Sequence, residues 1–381
     1  MSFSKYHINN FFSENKINKK EYLILPNINT PRIAVPLKNI RLFINGLKIQ
    51  NTASLKNRIL KKILPVFYPL FKATKINVFQ STNYLEQLKN KINSEKIWGL
   101  GNIDELSAFI GTENSRNRKI TFILFDNEGK IKGILKFPVE RSSIKFMENE
   151  QNILQRLQQK ELFRKIAFPG RIEKLCFDNK KLFLQEYIFG GTFQFKNKLN
   201  NIIVSASAEL GNKNKDYTKI NAYFHNIFDN IDKNSELKFT ISQLKRDKDF
   251  LVRYNLPVVT VHGDYVLYNM QTNGTKAFLI DWEYTREGLP LFDLFHFVFQ
   301  GKFQIEKKSH IECVKEVFSD SNLAYYKYYL NHLNLPVSLK IIKRLFYLYL
   351  IDNYLFDKKI KIKFNNQQNH FYSAIKLIEI Q

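Results

Sequence analysis

Cysteine is nearly missing: the 381 residues contain two, Cys176 and Cys313. They stand far apart and lack the spacing of a metal site. That excludes a disulfide scaffold and a cysteine zinc centre, and it fits a reducing cytoplasm. No run of roughly 18 apolar residues occurs, so no membrane-spanning helix is expected. The N-terminus has no apolar stretch of the kind a secretory signal needs. Linker-like Gly/Ser tracts and internal repeats are also missing. Acidic residues are scarce, 35 Asp and Glu against 59 Lys and Arg, which leaves a net charge of +24. What is present is 44% hydrophobic residues, enough for a sizeable core, on a chain long enough for two or three domains.

The positive charge is uneven. Lys, Asn, Ile and Phe are abundant throughout, as a genomic base-composition bias produces without function. Yet residues 1–75 hold fourteen Lys or Arg and two Glu, Glu14 and Glu21, a balance of 14 − 2 = +12. Half the excess thus sits in one fifth of the chain. Surfaces of this kind meet phosphates: membrane headgroups, nucleic acid or anionic substrates. Within that region, residues 1–21 are polar and read as a loosely held tail or short helix. Tyr22 to Pro26 and Arg32 to Leu37 read as extended runs around an Asn29-Thr30-Pro31 turn. Residues 53–72 repeat Leu55, Ile59, Leu60, Ile63 and Leu64 at helical spacing opposite Lys56, Arg58, Lys61 and Lys62. Two explanations stand: an interfacial helix on an anionic membrane, or an ordinary amphipathic helix packed on the protein body, the commoner case.

The chain is organised around residues 258–297. An apolar β-branched run, Val258 to Val261, leads into His262-Gly263-Asp264, with Asn269 five residues after the acid. A second run, Ala277 to Ile280, delivers Asp281-Trp282-Glu283, and Gly288, Pro290 and Asp293 follow before an apolar helical pattern. This spacing suits phosphoryl transfer, whose barrier lies in charge and positioning. Asp264 would accept or orient the acceptor proton. Asn269 and Asp281 would offer a neutral and an anionic oxygen to Mg²⁺, a hard cation that binds through few protein groups plus phosphate. The rival explanation is a buried acid capping a turn beside a surface amide.

HGDYVLYN resembles the HGDxxxxN catalytic loop of the aminoglycoside phosphotransferase and choline kinase family, which shares the protein-kinase-like fold. IDWEYTREGLPLFDL resembles that family's metal-binding segment with its trailing Gly-x-Pro-x-x-Asp. The resemblance implies that His262 shapes the loop and that Asp293 braces it. It also implies an α+β, bilobal protein-kinase-like fold: a small antiparallel-sheet N-lobe at 96–187, a mainly helical catalytic C-lobe at 188–381, and an extra basic region at 1–95.

The strand patterns agree with such an N-lobe. Phe109-Ile110-Gly111 precedes a polar turn at 112–119, and Ile120 to Phe125 and Ile131 to Phe137 flank the Asp126-Asn127-Glu128-Gly129 turn. Gly111 stands alone here, with no GxGxxG. Lys136 lies where the family places its phosphate-contacting lysine, and Lys132, on the same strand face, is the rival. Glu150, on a helix that also carries Glu148, resembles the glutamate that pairs with that lysine. Arg171 to Phe177 and Leu182 to Tyr187 read as strands around Asp178-Asn179. Glu186 to Gly191 resembles the inter-lobe hinge, which implies adenine contacts from the backbone of Glu186 and Ile188.

Beyond residue 197 the pattern is helical apart from the catalytic stretch, with candidates at 216–231, 237–254, 294–299, 305–318, 323–333 and 339–356. Its aromatics (Tyr325, Tyr326, Tyr328, Tyr329, Phe346, Tyr347, Tyr349, Tyr354) fit either a core or a cage for a cationic substrate. The expected activity is transfer of the γ-phosphate of ATP, with GTP the other candidate, using Mg²⁺. The acceptor is a hydroxyl of a small polar molecule: a sugar, amino sugar or amino alcohol. Cell-surface polysaccharide or lipid-linked glycan metabolism is the expected setting. Cationic drugs suit this basic chain less well, although Asp229, Asp232, Glu283 and Glu287 could make a local acidic site. The alternative is a catalytically idle kinase-like scaffold that binds a partner or an anionic membrane through its basic N-terminal region. Nucleic acid is not an expected partner, since no recognised module accompanies the charge. The expected location is cytoplasmic, peripheral at the inner membrane face through residues 1–75.

Overall fold

The computed structural model describes residues 9–13, 20–26, 31–48, 62–95, 97, 100–111, 117–159, 162–188, 198–233, 235–360 and 369–380. It divides into two compact units, residues 1–151 with 169–188, and residues 152–168 with 189–381. The fold is mixed α+β, with an antiparallel sheet in the first unit and mainly helices in the second.

The first unit is built on β1 (Phe12–Ser13), β2 (Glu21–Leu25), β3 (Ile33–Pro36), β4 (Val78–Ser81), β5 (Glu105–Ile110), β6 (Lys119–Phe125) and β7 (Ile131–Pro138). After β8 (Ile166–Ala167), which belongs to the second unit, β9 (Ile172–Phe177) and β10 (Lys180–Glu186) complete it. The nine strands run in the order β1-β4-β2-β3-β5-β6-β7-β10-β9, and all the pairs are antiparallel. The β6–β7 hairpin has a local cause. Asp126 Oδ1 accepts the N–H groups of Glu128 and Lys130, and Gly129 takes φ +76°. Alternation then sends side chains to two faces. Tyr22, Ile24 and Ala34 enter one cluster with Leu85, Leu88 and Phe122, while Leu23 and Val35 enter another with Phe43, Leu64 and Tyr68.

Helices α1 (Ile40–Lys48), α2 (Tyr68–Thr74), α3 (Asn83–Ser94) and α4 (Arg141–Gln158) accompany the sheet. The N-terminal strands extend the same sheet, because β3 pairs with β5 at Ile33↔Phe109 and Ala34↔Ala108. The expected loose tail at 1–21 is corrected within its described residues: Phe11 and Phe12 are buried, and Phe11 meets Phe122 and Phe137 edge to face. Two phenylalanines supply the apolar area that a polar average conceals. The turn at 29–30, residues 53–61 of the amphipathic segment, the start of the 112–119 turn and the glycines at 190–191 lie outside the described residues.

The second unit carries helices α5 (Asn201–Lys213), α6 (Ile220–Asp232), α7 (Ile241–Arg253), α8 (Phe292–Gln300), α9 (His310–Val317), α10 (Asp320–His332), α11 (Leu339–Lys359) and α12 (His370–Ile380). Short strands β11 (Val259–Val261) and β14 (Arg286–Gly288) pair with each other. Strands β12 (Met270–Thr272) and β13 (Ala277–Leu279) form a hairpin, with β8 parallel to β13.

Two helices begin later than their patterns suggest. Asp216 is bridged to Val258 through both backbone groups, so α6 starts at Ile220. Residues 301–305 form a π turn, and α9 starts at His310 behind a Ser309/Glu312 capping box. The aromatic stripe is core. Tyr326, Phe346, Tyr349 and Tyr354 are buried, and Phe295 meets Tyr326 and Phe346 edge to face, while Tyr328 faces outward.

Candidate active site

Strand β11 leads into His262, and the chain then turns on Gly263 at φ +81°. A Cβ at that position would collide with the carbonyl oxygen of Tyr284, so only glycine fits. Asp293, in the first turn of α8, ties the turn from beneath. Its carboxylate accepts the N–H of His262 at 2.9 Å and of Gly263 at 3.2 Å. The His262 ring lies 4.7 Å from that of Trp282, and its Nε2 donates to the Ile280 carbonyl at 3.1 Å. Burial pushes the His262 imidazole down and the Asp293 carboxyl up from their ordinary values. His262 thus packs into the frame of the loop, where burial disfavours its charged form.

Asp264 follows on this braced turn. Its Oδ2 accepts from Asn269 Nδ2 at 2.8 Å, and its backbone carbonyl accepts from the same amide at 3.1 Å. With both amide hydrogens engaged, Oδ1 is the atom Asn269 can offer to a cation. His296 Nε2, from α8, lies 3.5 Å from Asp264 Oδ1, and the Tyr349 hydroxyl is 3.3 Å from His296 Nδ1.

Asn269 ends a 3-10 turn, and its carbonyl accepts the N–H of Ile280 at 3.0 Å across the β12–β13 hairpin. That contact brings Asp281, the next residue, beside the loop. Asp281 adopts the left-handed conformation, φ 65° and ψ 61°, which aspartate tolerates better than most residues. The charges of Asp264 and Asp281 both reach His262 and Tyr268. Burial first and those two carboxylates next push the Tyr268 hydroxyl well above its usual range. One carboxylate oxygen of Asp281 and one of buried Glu283 lie within 4.8 Å of each other. An amide oxygen and two carboxylates form a hard-oxygen donor set, and this fits Mg²⁺.

In the first unit, Lys136 lies mid-sheet, opposite Thr121 of β6 and Phe183 of β10. Its ammonium is buried and meets both oxygens of Glu150 on α4, at 2.7 and 2.6 Å. Of the two lysines on this strand face, Lys136 is the one paired with Glu150. Glu148 instead reaches Lys181 at 3.2 Å. The Glu186 carboxylate accepts the N–H of Gly170 at 3.0 Å, and its own N–H donates to the Arg171 carbonyl at 2.9 Å. Ile188 follows β10 in irregular backbone, half-buried.

Two residues had no assigned role in the sequence. Glu283 stood only as a nearby acid, and His296 not at all. The usable signal for His296 was its position three residues after Asp293, on the same face of a helix whose acid was already expected to touch the loop.

No protein-family model matches the chain, and no curated protein does. Solved structures do. The chain is similar to an ethanolamine kinase from Plasmodium vivax at 15% identity and TM-score 0.47, over 87% of this chain and 95% of that one. It is similar to choline kinase LicA from Streptococcus pneumoniae at 16% identity and TM-score 0.43, over 76% and 97%. It is similar to an aminoglycoside phosphotransferase from Alicyclobacillus acidocaldarius at 12% identity and TM-score 0.37, over 73% and 88%.

Proposed function

We propose that the chain is a Mg²⁺-dependent phosphotransferase that moves the γ-phosphate of ATP to a hydroxyl of a small polar acceptor. The observation that carries this is Asp264, which sits on a braced loop with one carboxylate oxygen fixed by Asn269 and the other facing His296. A carboxylate held in this way orients an acceptor hydroxyl and takes its proton as the O–P bond forms. Asn269 and Asp281, with Glu283 beside them, would hold the metal. Mg²⁺ when bound neutralises phosphate charge. Lys136, fixed by Glu150, is suited to nucleotide phosphate, because a paired ammonium keeps one direction. The backbones of Glu186 and Ile188 are the proposed adenine contacts.

The acceptor class is a sugar, amino sugar or amino alcohol, and cell-surface glycan metabolism is the proposed setting. The competing reading, an idle scaffold, does not call for the Asp264–Asn269 contact together with the Lys136–Glu150 pair. The test is phosphate transfer from Mg²⁺-ATP to a panel of these acceptors. Turnover should fall by about 10²-fold or more in Asp264→Ala, and it should also be lost in Asp281→Asn. Tight nucleotide binding without turnover on any acceptor would favour the scaffold.

A further inference from the structure

The segment from Ile63 to Ile76 has one buried apolar side and another that is exposed. Leu64 and Tyr68 are buried against Leu23, Val35 and Phe43, with Phe71 partly buried beside them. The Tyr68 hydroxyl also donates to the Leu37 carbonyl at 2.8 Å. That side anchors the segment to the sheet. On the other side Ile63 is 43% exposed, Val66 74%, Phe67 44% and Leu70 50%, at steps of three and four residues, and Ile76 adds 60% just beyond. Pro65 and Pro69 sit at the starts of the 3-10 turn Leu64–Phe67 and of α2, where their fixed φ suits the backbone. The ridge is thus presented from a fixed base. Exposed apolar side chains grouped along one segment are a feature of interaction sites.

Charge narrows what can cover it. Residues 22–85 carry ten Lys or Arg and no Asp or Glu. Lys62, just before the ridge in the chain, and Lys72, two residues after Leu70, are both exposed. Lys72 reaches only the Tyr68 ring, 6.0 Å to the centroid, among its described contacts. A second copy of this chain would bring the same positive charge against it. An anionic lipid surface meets both features, taking the apolar side chains at the acyl boundary and the ammonium groups among its phosphates.

We propose that the Ile63–Leu70 ridge docks the protein on an anionic bilayer. The chain lies on the surface, since among the described residues no helix is long and apolar enough to cross a membrane. This inference is independent of the phosphotransferase proposal.

Cosedimentation of the full chain with vesicles tests it. Vesicles of mixed phosphatidylglycerol and phosphatidylcholine should carry the protein down, and pure phosphatidylcholine should not. Val66→Glu with Leu70→Glu should weaken that binding more than about tenfold with an unchanged melting curve, because both side chains are exposed. Lys62→Glu with Lys72→Glu should weaken it by at least about fivefold per residue. Failure of the wild-type chain to bind the anionic vesicles would overturn the proposal, as would undiminished binding of the Val66→Glu, Leu70→Glu variant. Light scattering without vesicles covers the remaining occupant: a doubled mass that the same variant returns to monomer would assign the ridge to self-association instead.

Discussion

Asp264 has its two oxygens committed to different neighbours, Asn269 on one side and His296 on the other. A carboxylate free to rotate would present its lone pairs in many directions, whereas these contacts select one. His296 is itself set by Tyr349 at its far nitrogen. His296→Phe keeps the packing volume and removes the polar contact. Its kcat should fall about tenfold to a hundredfold while the nucleotide KM stays near wild type, because misplacement of about 1 Å costs that much. Steady-state kinetics decide it; an unchanged kcat would mean that Asn269 alone aims Asp264.

The buried Lys136–Glu150 pair allows a second measurement. Glu150→Leu removes both carboxylate oxygens that the buried Lys136 ammonium meets and should destabilise by about 3–5 kcal/mol. The Lys136→Met, Glu150→Leu double variant should recover most of that in denaturant unfolding, yet remain inactive. Recovery of stability without activity separates a functional pair from a structural one. The strand pattern alone did not choose which lysine joins Glu150; the family resemblance pointed to Lys136, and Lys136 is the one paired. A period of two puts Lys132 and Lys136 on one strand face, and only the position of the helix selects between them. The loop from His262 to Asn269 was legible because its contacts run within one short stretch of chain, while His296 reaches Asp264 from another element in an apolar run that signals only burial.

At the scale of elements, the end of α11 and the start of α12 hold two buried groups with opposite pH behaviour. Burial pushes the Asp357 carboxyl up to about 7, against the lowering effects of the Asn369 amide and Arg286. Burial pushes the His370 imidazole down to about 3, helped by His296 and His310. Between about pH 4 and 7 the folded protein holds a proton on Asp357 that the unfolded chain has released, so this group lowers stability as pH rises. Between about pH 3 and 6.5 the unfolded chain holds a proton on His370 that the folded protein lacks, so this group raises stability as pH rises. The two slopes oppose each other over most of that range. Asp357→Asn keeps an oxygen to accept from Asn369 Nδ2, at 3.1 Å in the wild type, and removes the first slope. The variant should be more stable than wild type above pH 7, by up to about 4 kcal/mol. The difference should vanish near pH 4, leaving the His370 slope exposed. Urea unfolding across pH 4 to 8 reads this, and a constant difference at all pH values would refute it.

Elements also differ in how far the sequence reveals them. The β6–β7 hairpin was legible because Asp126 and Gly129 close it locally. The pairing of β1 with β4, Phe12↔Ser81, was not, because nothing near either strand encodes a partner so distant in the chain.

For the whole molecule the dominant electrostatic fact is a net charge of +24. Surface ion pairs such as Lys75–Glu21 and Lys219–Glu287 are exposed and worth about 0–1 kcal/mol each. Salt weakens these, but it also screens the repulsion among the excess cations, which grows with every unpaired charge. Repulsion should win, so the melting temperature should rise by about a few degrees between low salt and roughly 300 mM NaCl. Calorimetry measures it, and a falling melting temperature would show that the pairs dominate. The same salt should release the protein from anionic vesicles, since the attraction of Lys62 and Lys72 to headgroups is screened as well. Stability and vesicle binding then move in opposite directions with one variable. A chain that leaves the vesicles while its melting temperature climbs has lost an electrostatic partner and kept its fold.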